Sequence, residues 1–296
     1  MSGPDRQSCT DAALDRRDPM AGTGSRGMRW FMVELEGGWG HSAFMDSPNV
    51  IDPGLGRTVV KRAEKAGMRI AAIRRPGRRS STPRWRWAIA DARPGSESLH
   101  WGEVDDPREL TEVPLDGSAG TESGDPLVAV CAHGKHDQCC AVRGRKAAAQ
   151  IAERYPEWTW ECSHLGGDRF AATMIVLPHG LYYGRVDGAE EPADLVRLFV
   201  NGRVDDRFLR GRSSLPEVVQ AAQHHARRRT GHDRIADFAP VSVTPDDIET
   251  VVVLAARDGQ VTVRIAEEMS EPLLTTCHAR VPGRVRQFRL VSIDGV

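Results

Sequence analysis

A strand–helix–strand–strand order runs twice through this chain of 296 residues, and no other feature narrows its possible folds as much. In the first run, RWFMVEL (29–35) reads as a buried strand. GLGRTVVKRAEKAG (54–67) has helical spacing with Gly67 as its C-terminal cap. MRIAAIRR (68–75), RWRWAIADA (84–92) and SLHWGEV (98–104) are further strands. A small-residue stretch, LDGSAGTESGDP (115–126), marks the best domain boundary. Beyond it the order returns: strand LVAVCAHG (127–134), helix AVRGRKAAAQIAERY (141–155), strand EWTWECSH (157–164) and two strands within AATMIVLPHGLYYGRV (171–186). Helix PADLVRLFVNG then stops at Gly202.

The two runs also agree in detail. Trp101-Gly102-Glu103-Val104-Asp105 lines up with Tyr183-Gly184-Arg185-Val186-Asp187, each followed by a proline and a helical start. Shared turn chemistry in two unrelated hairpins would give this, and so would an internal duplication whose second copy alone carries cysteine and histidine. Around the runs, residues 1–27 are expected to form a polar, irregular arm. LPEVVQAAQHHARRRTG supplies a helix with a basic C-terminal end. Residues 250–296 read as a small antiparallel β module with strands TVVVLAA, QVTVRIAEE, LLTTCHA and VRQFRLVSI. The domains expected are therefore 28–114 without ligands, a linker at 115–126, 127–232 with ligands, and the module at 250–296.

Bulk properties exclude several classes of function. An apolar content of 40%, a charged content of 27% and a formal charge of −1 describe an ordinary globular chain without a field that attracts nucleic acid or anionic lipid. No segment approaches the ~18 apolar residues of a spanning helix. The N-terminus lacks the apolar core of a secretory signal, so a cytoplasmic address is expected. Arginine far outnumbers lysine, which occurs only at positions 61, 65, 135 and 146 and points to a GC-rich bacterial genome.

Six cysteines do not amount to disulfide density, but four of them lie between 131 and 162. CAHGKHDQCC (131–140) starts where an apolar strand ends, the place where open α/β sheets carry their sites. Cys140 opens the next helix, whose dipole favours a thiolate. The intervening loop is too long for a C-x-x-C redox turn. Downstream, ECSHLGGDRF (161–170) ends another strand. There period-two alternation puts Cys162 and His164 on one face, and Gly166-Gly167 permits a tight turn before Asp168. Two such loops meet the minimum donor set of a zinc or [2Fe–2S] site. Single cysteines at strand ends are more often core residues, and Cys9 and Cys277 read as structural.

The C-x8-C spacing followed by HLGGDRFA and GLYYGRV resembles the sucrase/ferredoxin-like family, whose relatives include thioredoxin-like [2Fe–2S] ferredoxins. AGTGSRGMRW, GRVDD and RGRSSLPEVVQAA strengthen the resemblance, which runs from about Cys9 to residue 229. It implies two thioredoxin-like β-α-β-β-α halves and a [2Fe–2S] cluster on Cys131, Cys140 and His164. Relatives present H-x-G-G-H where this chain has H-x-G-G-D. The fourth ligand is thus Asp168 as an oxygen donor or Cys162 as a third thiolate, or the cluster is labile or absent. Lys135, His133, His136 and Arg169 are nearby donors that would tune a cluster or steer an acidic partner. No carboxylate pair supports glycosidase chemistry.

The reading that follows is an electron-transfer protein with a redox partner protein and no catalytic residues of its own. The alternatives are a zinc-binding or cluster-free interaction protein of the same fold, and a thiol-dependent oxidoreductase using Cys139 or Cys140. RRPGRRSSTPRWRW (74–87), with six arginines and two tryptophans, is the one stretch suited to nucleic acid, although a solvated basic hairpin fits it better.

Overall fold

The computed structural model describes residues 7–77 and 85–295. It opens on a short helix, Cys9–Asp15 (α1), capped by Ser8, whose hydroxyl accepts from Asp11 N at 3.1 Å. The expected irregular arm is therefore partly helical. The capping serine starts the turn, and Cys9, Thr10 and Ala13 bury one face of it.

The first half follows as Arg29–Glu34 (β1), Pro53–Lys65 (α2), Arg69–Arg74 (β2), Trp85–Asp91 (β3) and Ser98–Val104 (β4). Asp52 caps α2 through Leu55 N at 2.8 Å, and Gly67 ends it at φ 69°. β2 runs parallel to β1, β3 antiparallel to β1, and β4 antiparallel to β3. Where the second half has a helix, this half has only a 3-10 turn, Pro107–Thr111, capped by Asp106. The stretch 115–126 adds a two-residue edge strand, Thr121–Glu122 (β5), to β4.

The second half comprises Leu127–Cys131 (β6), a π-helical turn Cys140–Gly144 leading into Arg145–Arg154 (α3), Thr159–Cys162 (β7), Met174–Leu177 (β8), Leu181–Tyr183 (β9), Ala193–Val200 (α4) and Leu209–Arg212 (β10). β7 is parallel to β6, β8 antiparallel to β6, and β9 antiparallel to β8. Each half thus places its second strand, first strand, third strand and fourth strand side by side. β2 and β7 join the halves antiparallel, with Ile73 opposite Cys162 and Arg74 opposite Glu161. The result is one sheet ordered β10-β9-β8-β6-β7-β2-β1-β3-β4-β5.

That sheet curls strongly enough for distant strands to touch. Trp101 of β4 stacks on Trp160 of β7 at 5.3 Å between ring centroids, and Trp30 of β1 meets Tyr182 of β9 at 6.2 Å. One face of each half, with Trp30, Met32, Ile73, Ala129, Trp160, Ile175 and Tyr182, therefore shares a single core. The opposite faces are covered separately: α2 packs Val59 and Ala63 on Phe31 and Val33, and α3 packs Ala147, Ala148 and Ile151 on Val128 and Val130. Period-two alternation accounts for this division, since neighbouring residues of β1 and β6 feed different cores.

Helix Glu217–Thr230 (α5) links the large sheet to a second sheet of Pro240–Pro245 (β11), Glu249–Ala256 (β12), Gly259–Met269 (β13) and Arg286–Gly295 (β14), all antiparallel. Val252, Leu254, Val261, Val263 and Ile265 pack on Val219, Ala222 and Ala226 of α5. The fourth strand of this module is residues 240–245, not the expected 273–279. The latter stretch is a loop with one isolated bridge, Leu273 to Gly283, because the backbone N–H of Cys277 donates to a side chain, Asp137, at 2.7 Å. Among the described residues no helix is long and apolar enough to cross a membrane.

Two stability measurements test this arrangement. Trp160 is fully buried where the halves face each other, so Trp160→Ala should cost about 3–5 kcal/mol in urea unfolding. Val291→Ala, at a 40% exposed position, should change stability by less than about 0.5 kcal/mol. Glu34, buried at the end of β1, has its carboxyl pushed up by burial from its ordinary 4.5 to about 7, with Arg86 opposing. Between those values the folded chain keeps a proton that the unfolded chain has released, so this group's contribution to stability falls as pH rises. Glu34→Gln should flatten that decline, read as the difference in urea midpoints between about pH 5 and about pH 7.5 for variant and parent.

Candidate metal centre

Two loops leave the adjacent strand ends Cys131 and Cys162, which are paired in register. The first loop turns at His133, whose carbonyl accepts from His136 N and Asp137 N, both at 3.0 Å. It re-enters helix at Cys140. Gly144 lets that helix approach the strand end, because a Cβ there would lie 1.9 Å from the Cys131 carbonyl oxygen. This approach puts the Cys140 thiol beside that of Cys131. The second loop is tied to the first half by Ser163, whose N–H donates to Ala72 O at 2.8 Å and whose hydroxyl accepts from Ala72 N at 3.0 Å. His164 N then donates to His133 Nδ1 at 3.3 Å. Gly167, at φ 82°, turns the chain to Asp168 against the guanidinium of Arg210.

The side chains converge as these backbones dictate. The buried Cys131 and Cys140 thiols lie near enough for each to shift the other's acidity. Cys140 Sγ donates to Asp168 Oδ1 at 3.4 Å, and His164 Nδ1 lies 3.1 Å from the same oxygen. On the other oxygen, His136 Nε2 stands at 3.7 Å, and the rings of His136 and His164 are 3.7 Å apart. Both thiols and Asp168 are buried, while the side chains of His164 and His136 keep 32% and 25% exposure, so the centre has a closed sulfur end and an open imidazole end.

Electrostatics follow from this crowding. The neighbouring Cys140 holds Cys131 below the ordinary thiol range against burial, and Cys140 is pushed up by Cys131, by burial and by Asp168. Burial lowers His136 to about 4. For His164 burial acts in the same direction, but Asp168 outweighs it and the net shift is upward. Asp168 itself is lowered: burial opposes this and His164 overcomes it. The buried guanidinium of Arg210 donates to Gly166 O at 2.9 Å and to Thr23 O at 2.5 Å, fixing the glycine turn beside the acid.

Cys131, Cys140, His164 and Asp168 are thus neighbours. Cys162 packs in the shared core, its thiol pushed up by burial. Strand β7 ends there, so alternation does not carry on to His164. His133 bonds Gly40 O at 2.7 Å, and Arg169 turns to Asp18 at 3.5 Å. Sequence reasoning left His136 a nearby donor outside the ligand set, because nothing in its spacing shows the turn at His133 that swings it onto His164. It also missed a second group in which Cys9, Asp137, Cys139 and Cys277 converge across more than a hundred positions. Of the basic stretch 74–87, residues 78–84 lie outside the described residues. Arg74 pairs with Glu161 at 2.7 Å, Arg75 lies 3.7 Å over Trp160, and Arg86 lies 5.1 Å over Trp101.

A [2Fe–2S] cluster requires one pair of ligands for each iron. Here Cys140 and His164 both approach one oxygen of the Asp168 carboxylate, at 3.4 and 3.1 Å, and Cys131 stands at the neighbouring strand end. His164 Nδ1 is buried yet makes no hydrogen bond among the described residues, since its approach to Asp168 is short but off hydrogen-bonding direction. An unsatisfied imidazole nitrogen facing a buried carboxylate suits a metal ligand, and the residues fit the group.

A family model described as Sucrase/ferredoxin-like matches residues 20–211. No curated protein and no solved structure matches the chain. The matched segment spans well over half of the sequence and contains both loops of the centre, and on that ground the chain belongs to the sucrase/ferredoxin-like family.

Proposed function

We propose that this protein is a one-electron carrier whose [2Fe–2S] cluster is held by Cys131, Cys140, His164 and Asp168. The observation that carries the reading is the convergence of two buried thiols, one imidazole and one buried carboxylate from two loops at neighbouring strand ends. When bound, such a cluster supplies reversible single-electron transfer. The chain contributes the environment. Cys131 and Cys140 keep the sulfur end dry, Arg210 sets a buried positive charge near Asp168, and His164 and His136 form the exposed edge where a redox partner protein would dock. On this reading the protein works in the cytoplasm, where thiols stay reduced. The equal strand order of the two halves supports a duplication of one thioredoxin-like unit whose first copy lost its ligands.

A zinc protein of the same fold is the second reading. It is favoured by the mutual closeness of His136, His164 and Asp168, whose donor atoms all lie within 4.8 Å of one another. Anaerobic purification separates the two. The proposal expects brown protein with about two irons and two sulfides per chain, and colour abolished by Cys131→Ala or Cys140→Ala. Asp168→Ala should alter the spectrum strongly and Cys162→Ala hardly at all. Asp168→His, which exchanges an anionic ligand for a neutral one, should raise the reduction potential by on the order of 100 mV. Colourless protein whose zinc disappears in His164→Ala would overturn the electron-transfer reading.

A further inference from the structure

We propose that Cys9, Cys139, Cys277 and Asp137 form a second, separate metal site that takes one zinc ion and clamps three distant segments of the chain together. The three sulfurs form a triangle. Cys139 and Cys277 are 3.2 Å apart, Cys277 and Cys9 3.5 Å, and Cys9 and Cys139 3.7 Å. The Asp137 carboxylate caps it, with its oxygens 3.8 and 4.0 Å from Cys9 Sγ. Its orientation is set by two backbone donors, Cys139 N at 2.8 Å and Cys277 N at 2.7 Å. A tetrahedral zinc with bonds of about 2.3 Å to sulfur needs donors about 3.8 Å apart, close to what these four side chains present.

Other uses of three thiols fit less well. A disulfide needs sulfurs at about 2.05 Å and engages two of them, whereas here all three are free and nearly equidistant. A [2Fe–2S] cluster takes two ligands on each iron, so a third thiolate would stand apart from the other two, whereas these three are mutually close. A chance hydrophobic cluster of cysteines would not include a buried carboxylate drawn in by two N–H groups. A cavity of about 210 Å³, lined by Cys9, Arg16, Leu273 and Cys277, reaches the site from outside and gives an ion a way in.

The consequence is mechanical. Cys9 belongs to α1, Asp137 and Cys139 to the loop before Cys140, and Cys277 to the loop between β13 and β14. Cys9 and Cys277 lie outside the segment matched by the family model, and Cys139 lies within it. The ion would tie the N-terminal helix and the C-terminal module to the loop that carries a ligand of the first centre. It uses none of that centre's donors, so the two sites are told apart by which substitution removes which metal.

The test uses the full chain expressed in a reducing cytoplasm and washed with a mild chelator. Metal analysis should find one tightly held zinc per chain, falling at least about tenfold in Cys9→Ser and in Cys277→Ser, with no such loss in Cys131→Ser. Cys277→His, which keeps a zinc donor at the partly exposed corner, should retain the ion, and this guards against a variant that only fails to fold. Replacing zinc with cobalt(II) should give the intense visible bands of a tetrahedral thiolate site, weakened in Cys277→His. Zinc retained in Cys9→Ser and Cys277→Ser would overturn the proposal. So would zinc lost only in His164→Ala, or a wild-type mass two hydrogens short with Cys139 linked to Cys277.

Discussion

The antiparallel pairing of β2 with β7 is the contact on which the rest of the molecule depends. It is short, Ile73 opposite Cys162 and Arg74 opposite Glu161, and is extended by Ser163, which makes both an N–H and a hydroxyl contact to Ala72. Arg74 reinforces it with a 2.7 Å ion pair to Glu161 and a position 4.1 Å over the Trp39 ring. Through this seam two sheets that would each present an unpaired edge become one, and each covers the apolar face of the other. The seam also fixes where the second site loop begins, since His164 follows Ser163 directly. The first half, though it supplies no ligand to the first centre, closes over it. Trp39 packs edge-on against His133 at 5.7 Å, and His41 meets His136 at 5.4 Å.

Charge explains why so much polar structure is buried here. Asp168 and Asp137 are buried among the thiols, and an unpaired buried charge is costly. The molecule answers with cations on several sides. Arg210 is buried beside the Gly166-Gly167 turn, and Arg143 pairs with Asp187 at 2.7 Å and with Asp11 of α1. Arg185 donates to the carbonyls of Ala13 and Asp18, holding α1 from below. The helix that opens the described chain is thus fixed by Arg143 and Arg185 as well as by its own cap.

How much of this was legible depends on the range of the interaction. The strands of both halves could be read because runs such as Trp30–Val33 and Val128–Val130 are apolar enough to be buried on two faces, and Gly67 and Gly202 end helices at positive φ. The places of Cys131 at a strand end and Cys140 at a helical start were legible because both carry local signals. β10 was not, since LRGR has no strand-like alternation and its buried arginine is explained only by Thr23 and Gly166. Residues 273–279 were misread as a strand because LLTTCHA has strand-like composition. What decides its path is one N–H bond to Asp137, 140 positions away. The contact of His136 with His164 was illegible because the turn at His133 that makes it leaves no mark in the spacing.

The loop 132–139 is where the two halves, the N-terminal helix and the C-terminal module meet. One of its ends is held by His133, which touches Gly40 of the first half and His164 of the second site loop; the other carries Asp137 and Cys139 toward α1 and the C-terminal module. A loop so anchored cannot move one donor without the others, since a shift of Asp137 displaces the backbone N–H groups of Cys139 and Cys277 together. Cys140 is the next residue after Cys139, and its thiol lies within reach of both Cys131 and Asp168. The two donor groups are therefore chemically separate but geometrically coupled. Residues 9 and 277, far away in sequence, thus contact the two residues, Asp137 and Cys139, that lead into Cys140.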